Sequence, residues 1–294
     1  MLELTRELTQ MTTFTDLISV AELKALMETS DCRIVDCRHN LFDPQKGRAD
    51  YLDGHLPGAV FADMDKNLAS EITPVSGRHP LPDVETFRLR LEGWGIGNDT
   101  QIVVYDYGNG SLAVRMWWML RWLGHDAVAV LDGGISAWTG ADEPLDDMVS
   151  EFPHATFTAS PDNSMIATTA EIESAVRNDE AINLIDARDE ARFRGEMEPI
   201  DAMAGHIPGA FNLPLARNLN EEGRWRSVSE LQAIWNDFLP GRTRERLIVM
   251  CGSGVTACHL ILSARLAGLE SPRLYVGSWS EWIRDESRPV VVAK

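Results

Sequence analysis

At about 150 residues per domain, a chain of 294 residues suggests two domains. Hydrophobic residues at 44% and charged residues at 24% match an ordinary globular protein, which excludes disordered and fibrous classes. With 45 acidic against 27 basic residues the net charge is −18, which repels a phosphate backbone, so nucleic acid is not an expected partner.

No stretch approaches the ~18 uninterrupted apolar residues of a membrane span. Residues 1–14 carry Glu3 and Glu7 without an apolar core, so no secretory signal is expected there, and Met11 is an alternative start. Cysteines stand at positions 32, 37, 251 and 258, in neither a disulfide framework nor a Cys-x-x-Cys metal pair. Free thiols in a reducing, cytoplasmic setting are the expectation.

In chain order, residues 20–29 read as a helix and 33–36 as a strand, followed by Gly-His-Leu-Pro-Gly-Ala from Gly54. A strand at 102–105, a helix at 111–123 and a strand at 127–131 come next. Residues 142–162, with Pro144, Pro153, Pro161 and several acids, read as a linker. Helix 169–177, strand 183–186, helix 229–236, strand 247–250, helix 255–267 and strand 274–276 complete the pass.

The second half repeats the first. Ile-Val-Asp-Cys-Arg at 34–38 returns as Leu-Ile-Asp-Ala-Arg at 184–188, and the Gly-His motif returns as Gly-His-Ile-Pro-Gly-Ala from Gly205. Further on, Gly124, Gly133 and Trp138 match Gly268, Gly277 and Trp282. The offset falls from 151 at the Gly-His motif to 145 at the next strand, so the first half carries about six extra residues, near 73–82. Strands alternating with helices predict an α/β fold with a central parallel sheet flanked by helices in each half. The expected units are 12–142, a linker at 143–162, and 163–294.

The chemistry concentrates where the strand ending at Met250 meets Cys251-Gly252-Ser253-Gly254-Val255-Thr256 and a helix. Ligands of open α/β sheets bind at the carboxyl ends of strands. Two glycines allow a tight loop of inward amides, and these stabilise an anion at the sulfur. The competing reading, a buried apolar cysteine, gives no reason for a Gly-Ser-Gly turn. Cys258, inside the helix, reads as core packing. The first half has Asp106 at the corresponding position and no thiol, so one half is catalytic and the other support. Trp117, Trp118 and Trp122 at helical spacing read as core, and Gly93-Trp94-Gly95-Ile96-Gly97 precedes its strand, unlike a nucleotide loop.

With Asp-x-Arg and Gly-His-x-Pro-Gly-Ala in both halves, Leu-Asp-Gly-Gly-Ile-Ser-Ala-Trp at 131–138, the loop at 251–256 and Gly-Ser-Trp-Ser-Glu-Trp at 277–282, the chain resembles the tandem-domain rhodanese family of sulfurtransferases. Within it, the Cys-Gly-Ser-Gly loop is similar to that of the 3-mercaptopyruvate sulfurtransferases. The resemblance implies two rhodanese-like domains and no metal or organic cofactor. It also implies transfer of a sulfane sulfur through a Cys251 persulfide to cyanide, a small thiol or a thioredoxin-like protein. Ser253 would polarise the leaving group, with the loop 252–256 holding the persulfide.

Arg192, in Arg-Phe-Arg-Gly, matches one carboxylate-binding arginine of these enzymes; the second arginine's position holds Ile200. The proposed Ser-His-Asp relay of the family maps to Ser253 and His55, with Asp50 or Asp53 as the acid. Arg38 and Arg188 read as structural residues bonding loop carbonyls, and His206 as shaping its turn. Thiosulfate is the alternative donor, but its sulfite leaving group calls for positive charge that the loop's own side chains lack. A dual-specificity phosphatase of the same fold would need an arginine six residues after Cys251, where Ala257 stands. A non-enzymatic sulfur carrier is the remaining reading, and would release one burst of product and stop.

Overall fold

The computed structural model describes residues 13–29, 31–239 and 246–292. The twelve N-terminal residues, with Met11 and the signal reading, lie outside them. The first unit runs β1 (Leu17–Ile18), α1 (Val20–Thr29), β2 (Cys32–Asp36), α2 (Lys46–Asp53), β3 (Ala59–Phe61), α3 (Val84–Gly93), β4 (Gln101–Tyr105), α4 (Ala113–Trp122), β5 (Val128–Leu131) and α5 (Gly134–Gly140). The second repeats it with β6 (Ile166–Ala167), α6 (Thr169–Arg177), β7 (Leu184–Asp186), α7 (Glu190–Arg194), β8 (Phe211–Asn212), α8 (Val228–Phe238), β9 (Ile248–Met250), α9 (Cys258–Leu266), β10 (Arg273–Tyr275) and α10 (Ser278–Trp282).

Each unit holds one five-stranded sheet, ordered β1-β5-β4-β2-β3 and β6-β10-β9-β7-β8, with every pair parallel. Parallel strands covered on both faces are apolar on both, and the alternation of side chains assigns each face its layer. In β4, Ile102 and Val104 enter a core shared by both units, whereas Val103 and Tyr105 face an outer core under α1, α2 and α5. In β9, Val249 faces the shared core and Ile248 and Met250 face an outer core with α6 and α10. Residues of α3, α4, α8 and α9 fill the shared layer between the two sheets. The same alternation carries Cys251 to the shared side, toward the first unit.

Local signals account for most helix starts. Ser227 and Glu230 form a reciprocal capping box at α8, and Thr168 and Asp83 accept the amides of Glu171 and Thr86 at α6 and α3. One expectation is displaced. The helix anticipated from 255 begins at Cys258, and the amides of Cys258, His259 and Leu260 bond three residues back in a tight turn. Gly254 sets that turn with φ of 75°, and a Cβ there would lie 2.4 Å from the Val276 carbonyl oxygen.

Residues 141–162 contain no helix or strand, and the segment lies along the first unit. Asp146 exchanges backbone hydrogen bonds with His55, the Phe157 amide bonds Glu92, and Phe152 packs under the Arg33 guanidinium. Trp117, Trp118 and Trp122 are core residues, Trp118 stacking on Trp122 at 6.1 Å between ring centroids.

Candidate active site

Cys251 follows the central strand β9 and is 2% exposed. Its amide donates to the Ser278 hydroxyl at 3.1 Å, and its carbonyl accepts from the Trp279 amide at 3.1 Å. The Gly252 carbonyl accepts from the Ser280 amide at 2.9 Å. The start of α10 therefore holds the loop from outside. Among the described residues, no acceptor takes the amides of Gly252 to Ala257.

The first unit shows what such a loop is for. After its own central strand β4, Asp106 turns its carboxylate back into the equivalent loop. One oxygen accepts from the amides of Gly108 and Gly110 at 2.9 and 3.0 Å, the other from Leu112 and Ala113 at 2.9 and 3.2 Å. The fold thus builds an anion cradle twice. In the first copy Asp106 fills it permanently. In the second, the small cysteine side chain leaves the amides open to an anion at the sulfur.

The inserted loop of the first unit reaches into the second. His79 places Nδ1 2.7 Å from the Ser253 hydroxyl oxygen and Nε2 3.3 Å from a carboxylate oxygen of Asp65. The hydrogen bond to His79 holds the Asp65 carboxyl below its ordinary range. Beside it, Arg78 forms an ion pair with Asp201, and its amide donates to the Ser280 hydroxyl at 3.0 Å. Arg192 binds the same Asp201 at 3.2 Å and Glu198 at 2.7 Å. A Cβ built on Gly252 would lie 2.7 Å from Arg78 Nη2 and 3.7 Å from Arg192 Nη2, so the two guanidinium groups flank the residue after the cysteine. Burial raises the Asp201 carboxyl above its usual range, against the lowering effect of Arg78 and Arg192.

Arg115 on α4 lies beneath the loop, completely buried. It donates to the carbonyls of Gly254 at 3.0 Å, His79 at 3.1 Å and Leu68 at 3.3 Å, with no carboxylate partner among the described residues. A buried cation bonded only to neutral carbonyls leaves its charge available to an anion at Cys251. Cys258 is a different kind of thiol: burial pushes it up to about 12, and its Sγ lies 3.6 Å from the Gly254 carbonyl.

Four sequence readings change. His55 does not reach Ser253. It stacks on Tyr51, its Nδ1 lies 2.6 Å from the Tyr51 carbonyl and its Nε2 3.2 Å from that of Met148. His206 stacks in the same way on Phe193 and meets the Phe193 carbonyl at 2.8 Å, so the repeated Gly-His motif makes one structural bracket twice. The histidine that meets Ser253 is His79, and the acid beside it is Asp65. Asp50 instead binds Lys46 and the Tyr107 hydroxyl, and Asp53 is in no such pair among the described residues. Ile200 does not leave one arginine alone, because Arg78 brings a second guanidinium from the other unit. Finally, the loop is uncharged in its own residues, yet Arg78, Arg192 and Arg115 surround it.

Arg192 and Ser253 do lie at the cysteine loop, with Gly252, Gly254, Val255 and Thr256 forming it. Arg38 and Arg188 clamp Asp36 and Asp186 and donate to the carbonyls of Gly54 and Gly205 at 2.8 and 2.7 Å. Sequence reasoning missed Arg78, His79, Asp65 and Arg115. The length difference between the repeats pointed at the loop carrying Arg78 and His79, whereas the signal for Arg115 is weak: it is one of two arginines in an otherwise apolar helix.

A model of the rhodanese-like domain family matches residues 19–141 and 168–285. A Pseudomonas aeruginosa protein named a probable 3-mercaptopyruvate sulfurtransferase is 43% identical over 276 residues, covering 93% of this chain and 97% of that one. A Mycobacterium tuberculosis protein provisionally named a thiosulfate sulfurtransferase is 36% identical, covering 93% and 96%. The crystal structure of a 3-mercaptopyruvate sulfotransferase from Escherichia coli superposes with a TM-score of 0.78 at 33% identity, covering 91% of this chain and all of that one. Two domains of one architecture, a single cysteine cradle and these likenesses across nearly the whole chain place the protein in the rhodanese family.

Proposed function

We propose that the protein is a sulfurtransferase that takes sulfur from 3-mercaptopyruvate onto Cys251 and passes it to a thiol or cyanide. The observation that carries the donor is the chain from Ser253 to His79 to Asp65. Attack of the Cys251 thiolate on the donor's sulfur forms an S–S bond and breaks the C–S bond, leaving the electron pair on the three-carbon fragment as an enolate. That enolate needs a proton to become pyruvate, and the Ser253 hydroxyl supplies it, a role its contact with His79 supports. Sulfite leaving from thiosulfate needs no proton.

Arg78 and Arg192 are the candidate carboxylate clamp, since they already share the carboxylate of Asp201. The donor displaces Asp201 or moves it aside. The cradle of free amides, with Arg115 below, then holds the persulfide anion. An acceptor thiolate attacks the outer sulfur and returns Cys251 to the thiolate. No cofactor enters this cycle. A small thiol or a thioredoxin-like dithiol serves as acceptor, and the four free cysteines suit a reducing, cytoplasmic setting.

Thiosulfate is the second reading, favoured by the three guanidinium groups around the loop, which also suit a sulfonate. Side-by-side kcat/KM values decide between them: mercaptopyruvate should be the better donor, and a higher value for thiosulfate overturns the assignment. Steady turnover beyond one equivalent of product excludes a mere sulfur carrier.

A further inference from the structure

The far side of the relay histidine carries a feature that sulfur transfer does not use. His39 follows the β2 clamp residue Arg38, and its ring stands at 88° to that of His79 with 6.2 Å between centroids. His39 Nε2 is buried and has no hydrogen-bond partner among the described residues. One ligand atom each from His39, Asp65 and His79 lies within 4.8 Å of the others. Two imidazoles and one carboxylate from three separate segments are a zinc-type donor set with room for a fourth, exogenous ligand. Calcium and magnesium prefer oxygen ligands throughout.

The geometry is close to that of a bound ion. Tetrahedral zinc with bonds of about 2.0–2.1 Å sets neighbouring ligand atoms about 3.3 Å apart. His79 Nε2 and the Asp65 oxygen are already separated by 3.3 Å. Asp65 is 44% exposed in its side chain and His39 is half-buried, so the third contact needs only a short movement of groups at the surface. Asp63 adds negative charge beside His39, and the chain's net charge of −18 favours cations generally. The other nitrogen of His79 is fixed by Ser253, as metal-bound imidazoles are commonly fixed by an outer partner.

We propose that His39, Asp65 and His79 bind a divalent transition metal of the zinc type, and that the bound metal reversibly inhibits the enzyme. Binding stands on this cluster alone, whereas inhibition rests on the sulfurtransferase reading. The inhibitory step follows from proton accounting. In the relay, Ser253 gives its proton to the enolate and regains one from His79 Nδ1, and the ring is recharged at Nε2 on the Asp65 side. A metal occupies the Nε2 lone pair and leaves the ring with its single proton on Nδ1. The ring then has no open nitrogen through which a spent proton can be replaced, so Ser253 is not recharged. No bond other than the N–H is exchanged, and chelation restores the relay.

Zinc also binds thiolates, so the test uses the full-length Cys251→Ser protein for binding and the native protein for activity. Isothermal titration of Cys251→Ser with zinc should give one equivalent, weakened about tenfold or more by adding His39→Phe, which keeps a ring beside His79. Cobalt(II) bound to Cys251→Ser should show visible d–d bands with no thiolate charge-transfer band. In native enzyme, zinc should lower kcat reversibly on chelation. His39→Phe should keep its basal kcat/KM and lose at least about tenfold in zinc sensitivity, and His39→Asn should repeat this if the aromatic variant fails to fold. Loss of zinc binding in Cys251→Ser, or unchanged zinc affinity in a folded His39 variant, overturns the site. Absence of turnover with every donor while one zinc still binds Cys251→Ser overturns the sulfurtransferase reading and leaves the site standing.

Discussion

Among four cysteines, only Cys251 ends a central strand at a loop of unspent amides. Cys251→Ser should abolish sulfur transfer, and Cys32→Ser, Cys37→Ser and Cys258→Ser should retain most of it. Intact mass after donor treatment should rise by one sulfur, about 32 Da, in every variant except Cys251→Ser. The relay makes a sharper demand. His79→Ala should lower kcat by roughly 10²–10⁴-fold with mercaptopyruvate, the usual size of general acid–base catalysis, and much less with thiosulfate. An equal loss with both donors would assign His79 to holding the loop. His55→Ala should leave the ratio between donors unchanged and show its effect in stability, because its partners are the Tyr51 and Met148 carbonyls. Arg78→Ala and Arg192→Ala should each raise KM for mercaptopyruvate by about 10- to 150-fold, equivalent to the ~1.5–3 kcal/mol of a hydrogen bond to a charged group. Asp201→Asn should act in the opposite direction, lowering KM about fivefold for an ion-pair contribution of ~1 kcal/mol. If the arginine variants leave KM unchanged, the clamp lies elsewhere.

At the scale of elements, the two cradles differ in what fills them. Asp106→Ala would leave four loop amides without their acceptor inside a closed turn, and each buried donor left unmade is costly. The expected loss is at least about 1–3 kcal/mol, read from urea unfolding, with kcat changed little because Asp106 lies in the copy that has no cysteine at this position. Many elements were legible from apolar periodicity alone: α1 and α6 fall at their expected bounds, and the central strands differ by a residue or so. The helix after Cys251 was not, since Val255 and Thr256 suit a helix by composition. The close approach of Gly254 to the Val276 carbonyl instead bends those residues into a turn that carries the loop around the sulfur. Short elements such as α2, α7 and β3 also escaped, being too brief for a periodic signal.

For the whole molecule, one apolar layer joins both sheets, so the two units should unfold together in a single transition. Buried polar links cross that layer. His259 on α9 stacks on Trp225 at 3.8 Å, meets the Asn109 carbonyl of the first unit at 3.1 Å and lies beside Asn218. Burial pushes its pKa down to about 3 from an ordinary 6.5. Between those values the unfolded chain binds a proton there that the native protein does not, so stability falls as pH is lowered from 6.5 toward 3. The contribution is complete above 6.5. His259→Gln should remove up to about 1.4 kcal/mol per pH unit of that slope, measured by urea unfolding across the interval, and an unaltered slope would show that His259 titrates normally.

By itself the sequence determined the duplication, the parallel α/β architecture and the place of Cys251 in a Gly-Ser-Gly loop, because periodicity, internal repeats and strand-loop-helix order are local properties of the chain. It also marked residues 73–82 as the segment by which the halves differ. Only the tertiary structure decided what that segment does. Arg78 and His79, the latter backed by Asp65, meet Asp201 and Ser253 from the other side of a domain boundary, at separations of up to 174 residues along the chain. No pattern within a window encodes such a meeting; it follows from two sheets turned toward one shared apolar layer. For the same reason His55, well placed by motif, became a structural bracket. Its neighbours were set by the packing of its own domain, whereas the neighbours of Cys251 come from both.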